Sequence, residues 1–203
     1  MGDTRERIVA AAFELFAERG YHAVSVRDIA AAVGVKDASL YNHFPGKQGI
    51  FDAVLAEQLE RTRAAFADEG VMFEPTEDPS GYAGDIEEVE RRVLAGFRRF
   101  FEDEDLVRLH RLLAMSRFAD ERAAAAYRFV FIERPQAIQR AVFERLMARG
   151  LFKLDDAAAL ARMFYGPVFL LLETGIPWGE AEPLIADHLR RFYAAHSIEG
   201  GLS

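Results

Sequence analysis

Gly34-Val35-Lys36-Asp37-Ala38-Ser39-Leu40-Tyr41-Asn42-His43-Phe44-Pro45-Gly46-Lys47 is the stretch that decides the fold. Glycine at position 34 lets the backbone turn tightly because it has no Cβ to clash. Leu40 and Phe44, four residues apart, share one face of a helix and point inward. Ala38, Ser39 and Asn42 then point most nearly away from them, with Tyr41 and His43 on the flanks. The spacing predicts a helix over 37–44, closed by Pro45-Gly46. Upstream, Ser25-x-x-Asp28 reads as a capping box opening a short helix whose apolar stripe is Val26, Ile29, Ala30 and Val33. Before it, Asp3-x-x-Glu6 opens a first helix with Ile8, Ala12, Leu15 and Phe16 on one face and Gly20 as its stop. Three short helices, the second and third joined by a glycine turn, form the helix-turn-helix pattern.

Helical periodicity continues outward from this head. Lys47 opens a long connecting helix, 47–67, lined by Ile50, Phe51, Val54, Leu55 and Leu59. Residues 68–84, with Gly70, Pro75, Pro79, Gly81 and Gly84, read as a surface loop or mobile linker. Helices follow over 85–102, 104–117, 120–149, 155–174 and 180–195. Pro135 and Pro167 fall inside two of them and remove the hydrogen bonds to the carbonyls of Phe131 and Met163, so each helix is expected to kink. β-branched alternation is scarce. The expectation is an all-α chain of about nine helices. Its domains are a helix-turn-helix head over 1–50 and a helical body over 51–203.

Composition bounds the function. The chain has 203 residues, 51% hydrophobic and 29% charged, which fits a soluble globular protein of one large or two small domains. It has no cysteine, which removes disulfides, thiolate nucleophiles and cysteine-based zinc sites. There is no Gly-rich phosphate loop, no HExxH and no Gly-x-Ser-x-Gly, and His22, His43, His110, His188 and His196 show no ligand spacing. The expectation is a protein that is not an enzyme, with no catalytic residues, no metal site and no cofactor. The longest apolar run near the C-terminus, 163–172, lies between Arg162 and Glu173. It is far short of the roughly 18 residues that span a bilayer. No apolar signal-peptide core follows Met1. Both read as a cytoplasmic protein without a membrane partner.

The formal net charge of −8 argues against a surface coated for nucleic acid, but the charge is uneven. Arg5, Arg7, Arg19, Arg27, Lys36 and Lys47 balance Asp3, Glu6, Glu14, Glu18, Asp28 and Asp37 in the first 50 residues. The whole excess of acid belongs to the body. A neutral head that meets an anion is therefore compatible with the composition.

The run Tyr41-Asn42-His43-Phe44-Pro45-Gly46-Lys47, preceded by Val26-Arg27-Asp28-Ile29-Ala30 and Gly34-Val35, resembles the TetR family of bacterial transcriptional regulators. The resemblance is strong over about 5–65, and beyond that only architectural. It implies that the second and third helices bind DNA, that the body binds a small molecule, and that the protein works as a homodimer. Tyr41 and Lys47 match positions that usually touch phosphates, Lys47 at the start of the fourth helix. Ser25 and Arg27 fit backbone contacts, and Ser25 also caps its helix. Asn42 fits adenine readout, and Ser39 a base or a phosphate. Ala38 is on the exposed face, and His43 either touches phosphate or supports the helix. Two positions depart from the usual pattern. Lys36 stands where many relatives place a capping Ser or Thr, weakening the cap while adding a cation. Asp37 either accepts from a cytosine amine or favours the helix N-terminus, the second being preferred.

In the body, the 155–174 helix is apolar on more than one face and must be buried on more than one face. Leu160, Val168, Leu171 and Leu172, with Ile185, Leu189 and Phe192 of the last helix, are the expected dimer interface. Kinked helices open cavities. The expected lining is Phe97, Phe101, Leu109, His110, Leu113, Tyr127, Phe131, Ile138 and Phe164, which would suit a largely hydrophobic effector. The function these readings favour is a repressor released from a palindromic operator in double-stranded DNA by that small molecule. The alternatives are an activator of the same family, or a helical interaction module with a vestigial helix-turn-helix.

Overall fold

In a computed structural model of the chain, residues 3–68, 70–83 and 85–198 are described. Gly84, read above as part of the loop, lies outside them. The helices are α1 (Thr4–Arg19), α2 (Val26–Val33), α3 (Asp37–Tyr41), α4 (Lys47–Asp68), α5 (Ile86–Glu102), α6 (Glu104–Ser116), α7 (Glu121–Arg128), α8 (Arg134–Ala148), α9 (Ala157–Thr174) and α10 (Trp178–His196). A 3₁₀ turn covers Pro79–Tyr82, and a π turn, Phe129–Glu133, joins α7 to α8 without a break. With that continuous run counted once, there are nine helical rods among the described residues. The extended backbone there amounts to an isolated bridge between Phe152 and Ser197. The chain is all-α.

The chain divides into two compact units. The first runs to Thr62 and takes in Val107–Tyr127; the second comprises Arg63–Leu106 and the chain from Arg128 onward. In the first unit both capping boxes form, Asp3 with Glu6 and Ser25 with Asp28. α2 ends at Gly34 in the left-handed region, φ 74°. The Val35 N–H returns to the Ala30 carbonyl at 3.0 Å and the Gly34 N–H to Ala31 at 3.2 Å, which satisfies the last carbonyls of the helix. Arg7 of α1 adds a bond from Nη2 to the Val33 carbonyl at 2.6 Å. Ile8, Ala12, Phe13, Phe16, Ile29, Ala30, Val33, Leu40 and Phe44 fill the core between these helices.

α3 is shorter than the 37–44 expected. It ends at Tyr41, and the N–H groups of His43 and Phe44 both reach the Leu40 carbonyl at 3.0 Å. Pro45 disfavours a helical Phe44, so the chain leaves the helix early and Asn42 and His43 sit in the turn. The segment 107–127 joins this unit through buried Leu109, Leu112, Leu113, Ala123 and Tyr127. Two ion pairs accompany it, Arg108–Glu14 at 2.9 Å and Arg122–Asp52 at 3.7 Å.

The second unit is built on aromatic side chains. Phe143 lies 5.7 Å from Phe152, 5.8 Å from Phe164 and 5.3 Å from Phe192, ring centre to ring centre. Pro135 has no N–H for the Phe131 carbonyl, and the chain answers in two ways. The preceding turn widens to a π turn, and the Tyr165 hydroxyl donates to that carbonyl at 2.7 Å. α9, by contrast, runs through Pro167 as one continuous helix. The segment 70–83 is a packed cap rather than a free linker, with Val71, Met72, Phe73 and Tyr82 buried. Arg92 of α5 donates to the Gly70 carbonyl at 2.6 Å. Arg134 of α8 lies 4.2 Å above the Phe73 ring and pairs with Glu74 at 3.1 Å.

α9 and α10 correct the expected interface. Leu160, Val168, Leu172, Ile185, Leu189 and Phe192 are buried within the chain itself, and Leu171 is half-buried. These side chains are the core of one protomer. The apolar residues that α9 and α10 leave outside are Met163 (57% exposed), Leu170 (63%) and Leu184 (53%), with Gly166 and Pro167 between the first two. Periodicity shows that α9 has two apolar faces without showing which one the chain uses for itself. At 18 residues α9 is also long and apolar enough, by composition, to cross a bilayer, which counting only its uninterrupted apolar run overlooks. A core helix has the same composition, and one face of α9 packs in this core.

Candidate nucleic-acid interface

The turn between α2 and α3 fixes which side chains face out. Leu40 and Phe44 are pinned in the core, so Ala38, Tyr41, Asn42 and His43 are exposed and Asp37 and Ser39 half-exposed. Tyr41 is 59% exposed. Ser25, Arg27 and Lys36 are exposed beside them. The ten residues singled out at the head thus lie on α2, α3, their N-caps, the turn after α3 and the start of α4, all within the first unit.

Their electrostatics are less free than the sequence suggests. The Ser25 hydroxyl donates to Asp28 Oδ2 at 2.6 Å and accepts from the Asp28 N–H at 3.2 Å, so it is engaged in capping. The hydroxyl's bond to Oδ2, with the Ser25 N–H donating to the same oxygen at 2.7 Å, holds the Asp28 carboxyl below the usual carboxylate range. Lys36 makes no side-chain cap bond, because an ammonium has nothing to accept the α3 N–H groups with. Arg27 Nε donates to Asp37 Oδ2 at 3.2 Å, which joins α2 to α3 across the turn.

Lys47 is held in place. Its Nζ lies 4.3 Å from the centre of the Tyr21 ring and donates to the His22 carbonyl at 3.4 Å. Burial pushes its pKa down, opposed by the carboxylates of Asp120 and Asp28. The Tyr21 hydroxyl in turn donates to Gln48 Oε1 at 2.9 Å, and the ring packs on Phe16 and Phe51. Tyr21 was missed as a site residue. It is the platform that aims Lys47, and the available signal was an aromatic residue directly after the Gly20 stop.

The residues proposed for an effector pocket lie in both units. Leu109, His110, Leu113 and Tyr127 belong to the first, where the His110 and Tyr127 rings lie 5.6 Å apart. Phe97, Phe101, Phe131, Ile138 and Phe164 belong to the second, where Phe97 and Phe164 lie 6.1 Å apart. Six of the nine are buried, while Phe101, His110 and Ile138 are half-buried. A separate open cavity of about 1240 Å³ in the second unit is lined by Ile86, Leu94, Trp178, Arg98, Glu182 and Arg190 among others, and by none of the nine. Among the described residues there is no group of three or more metal-ligating side chains.

The family of bacterial regulatory proteins described as the tetR family matches residues 8–54, the interval that holds most of α1, all of α2 and α3, and the start of α4. The chain is 36% identical over 72 residues to the HTH-type transcriptional regulator UidR of Escherichia coli K12, covering 34% of this chain and 37% of UidR. That match thus spans well under half of the relative's length. Over 201 residues it is 28% identical to the HTH-type transcriptional repressor KstR2 of Mycobacterium tuberculosis, covering 97% of this chain and 92% of KstR2. A solved TetR-family structure from Mesorhizobium loti shares the fold at TM-score 0.70 and 20% identity, covering 96% and 97% of the two chains. Regulators of this kind are non-enzymatic, bind DNA and typically act as dimers with small-molecule effectors. A head matched by the family's model, and a repressor aligned along nearly the whole chain, make this protein similar to the TetR family of DNA-binding transcriptional regulators.

Proposed function

We propose that this chain is a dimeric, sequence-specific transcriptional repressor, released from a palindromic operator when a small, largely hydrophobic ligand binds its helical body. The observation that carries the reading is the recognition surface. Tyr41 and Ser39 project from a short helix whose opposite side is locked in the core, Asn42 and His43 from the turn that follows it, while Lys47 and Arg27 flank them. Tyr41 and Lys47 grip phosphates, Asn42 and Ser39 read bases, and Ser25, Arg27 and Lys36 follow the backbone. The full-length likeness to a named repressor supports repression over activation.

One head supplies few contacts, so affinity depends on two. A second protomer adds a half-site about 34–36 Å away. Self-association runs through the exposed Met163, Gly166, Pro167, Leu170 and Leu184, a face continuous over α9 and extended by α10. The acidic body limits binding to arbitrary DNA. The aromatic side chains Phe97, Phe101, Phe131 and Phe164 favour a hydrophobic or aromatic effector with one or two polar groups. The ligand acts by its higher affinity for a head spacing that does not fit the operator, with α4 carrying the change.

Enrichment of duplexes from a random pool on the full chain tests this. The enriched sequence is expected to be palindromic and its affinity to fall steeply with salt. Tyr41→Ala combined with Lys47→Ala is expected to weaken binding at least about a hundredfold while leaving dimer mass unchanged. Undiminished affinity in that variant would sink the assignment of the surface.

A further inference from the structure

We propose that Asp37 is a positioning residue for Arg27, holding its guanidinium so that the Nη1–Nη2 edge grips a DNA phosphate. The inference rests on the DNA-binding reading above. Arg27 lies in the first turn of α2 and Asp37 is the first residue of α3, so their contact spans the turn of the motif. Nε donates to Asp37 Oδ2 at 3.2 Å. That bond uses the side edge of the planar guanidinium and leaves the two-pronged end, whose parallel N–H groups match a pair of phosphate oxygens.

The Arg27 side chain is 87% exposed, and the Asp37 carboxylate is 47% exposed. A long side chain so exposed has many rotamers, and ordering it on DNA costs conformational entropy. A partner already engaging Nε reduces the rotamers that binding must remove. The first helix of such a motif crosses the DNA backbone while the second enters the groove. A guanidinium tied to both therefore stands at the backbone edge.

A carboxylate at this place also repels phosphates. The two roles predict opposite signs, which makes them separable. If Asp37 is merely an adverse charge, or only favours the α3 N-terminus, removing it tightens binding or leaves it alone. If it positions Arg27, removing it weakens binding even though the net charge becomes more favourable.

The test uses the full chain and two duplexes, one enriched on it from a random pool and one of arbitrary sequence, by fluorescence anisotropy over a range of salt. Asp37→Ala is expected to weaken both by about fivefold, the size an exposed ion pair can contribute. Asp37→Asn keeps an oxygen acceptor and is expected to lose less. Arg27→Ala is expected to reduce the slope of log affinity against log salt by about 1, and Asp37→Ala to add nothing in its background. Tighter or unchanged binding by Asp37→Ala overturns the proposal. So does an additive loss in the double variant, which would place the effect in α3 itself. A loss confined to one base pair overturns the phosphate assignment. If the unaltered chain enriches no duplex, the DNA-binding reading falls first; each other contrary result leaves that reading standing and removes this one.

Discussion

The helix-turn-helix of the first unit turns polar side chains outward from a core closed by caps and tight turns, whereas α9 of the second unit leaves apolar side chains outside a core that is already filled. At the head, Tyr41, Asn42 and His43 are exposed because Leu40 and Phe44 have claimed the inward positions. On α9, Met163 and Leu170 are exposed although Phe164, Val168 and Leu172 of the same helix are buried. An exposed polar surface on a rigid frame suits contact with a hydrated, charged partner. An exposed apolar stripe suits burial against another protein surface. The same chain thus carries two surfaces of different character, and each can be altered without the other.

The largest expected effect tests the claim that the second unit holds a complete core of its own. Phe143 is fully buried among Phe152, Phe164 and Phe192. Phe143→Ala is expected to cost about 3–5 kcal/mol of stability, read by denaturant unfolding. A loss under about 1 kcal/mol would mean that this cluster is not the core.

Next comes the contrast within α9. Leu170→Arg is expected to weaken self-association at least about tenfold, because burying a leucine is worth about 1.5–3 kcal/mol and the substitution adds a charge. Sedimentation would show monomers while the melting temperature stays near that of the unaltered chain. Monomers from a substitution at buried Val168 alone, with dimers retained by Leu170→Arg, would reverse the assignment of inner and outer faces.

The smallest effect concerns the turn of the head. Gly34 sits at φ 74°, and a Cβ there would meet no atom within 4 Å. Gly34→Ala is therefore expected to cost only backbone strain, about 1–2 kcal/mol, seen as a modest drop in melting temperature. A much larger loss would mean that the glycine does more than permit the turn.

These differences explain what could be read in advance. The capping boxes at Asp3 and Ser25, the stop at Gly34 and the inward pair Leu40 and Phe44 follow local rules, each settled within a few residues. Even there, α3 came out short, because Pro45 acts on the residue before it and lets the helix end at Tyr41. The faces of α9 were not legible: its pattern is satisfied equally by packing on its own chain or on a partner. Nor was the Tyr21 platform beneath Lys47, a contact across 26 positions that local patterning does not encode.

The amino-acid sequence by itself determined the helical class, the helix-turn-helix and the outward set Ala38, Ser39, Tyr41, Asn42 and His43, because periodicity and turn chemistry act over a few residues. Tertiary structure alone decided that Arg27 pairs with Asp37, that Tyr165 completes the Phe131 carbonyl freed by Pro135, and that the segment 107–127 folds with the head. Such contacts join positions that are 10 to about 94 residues apart in the chain. Their partners are chosen by the space and unmet hydrogen bonds that remain once the helices have packed.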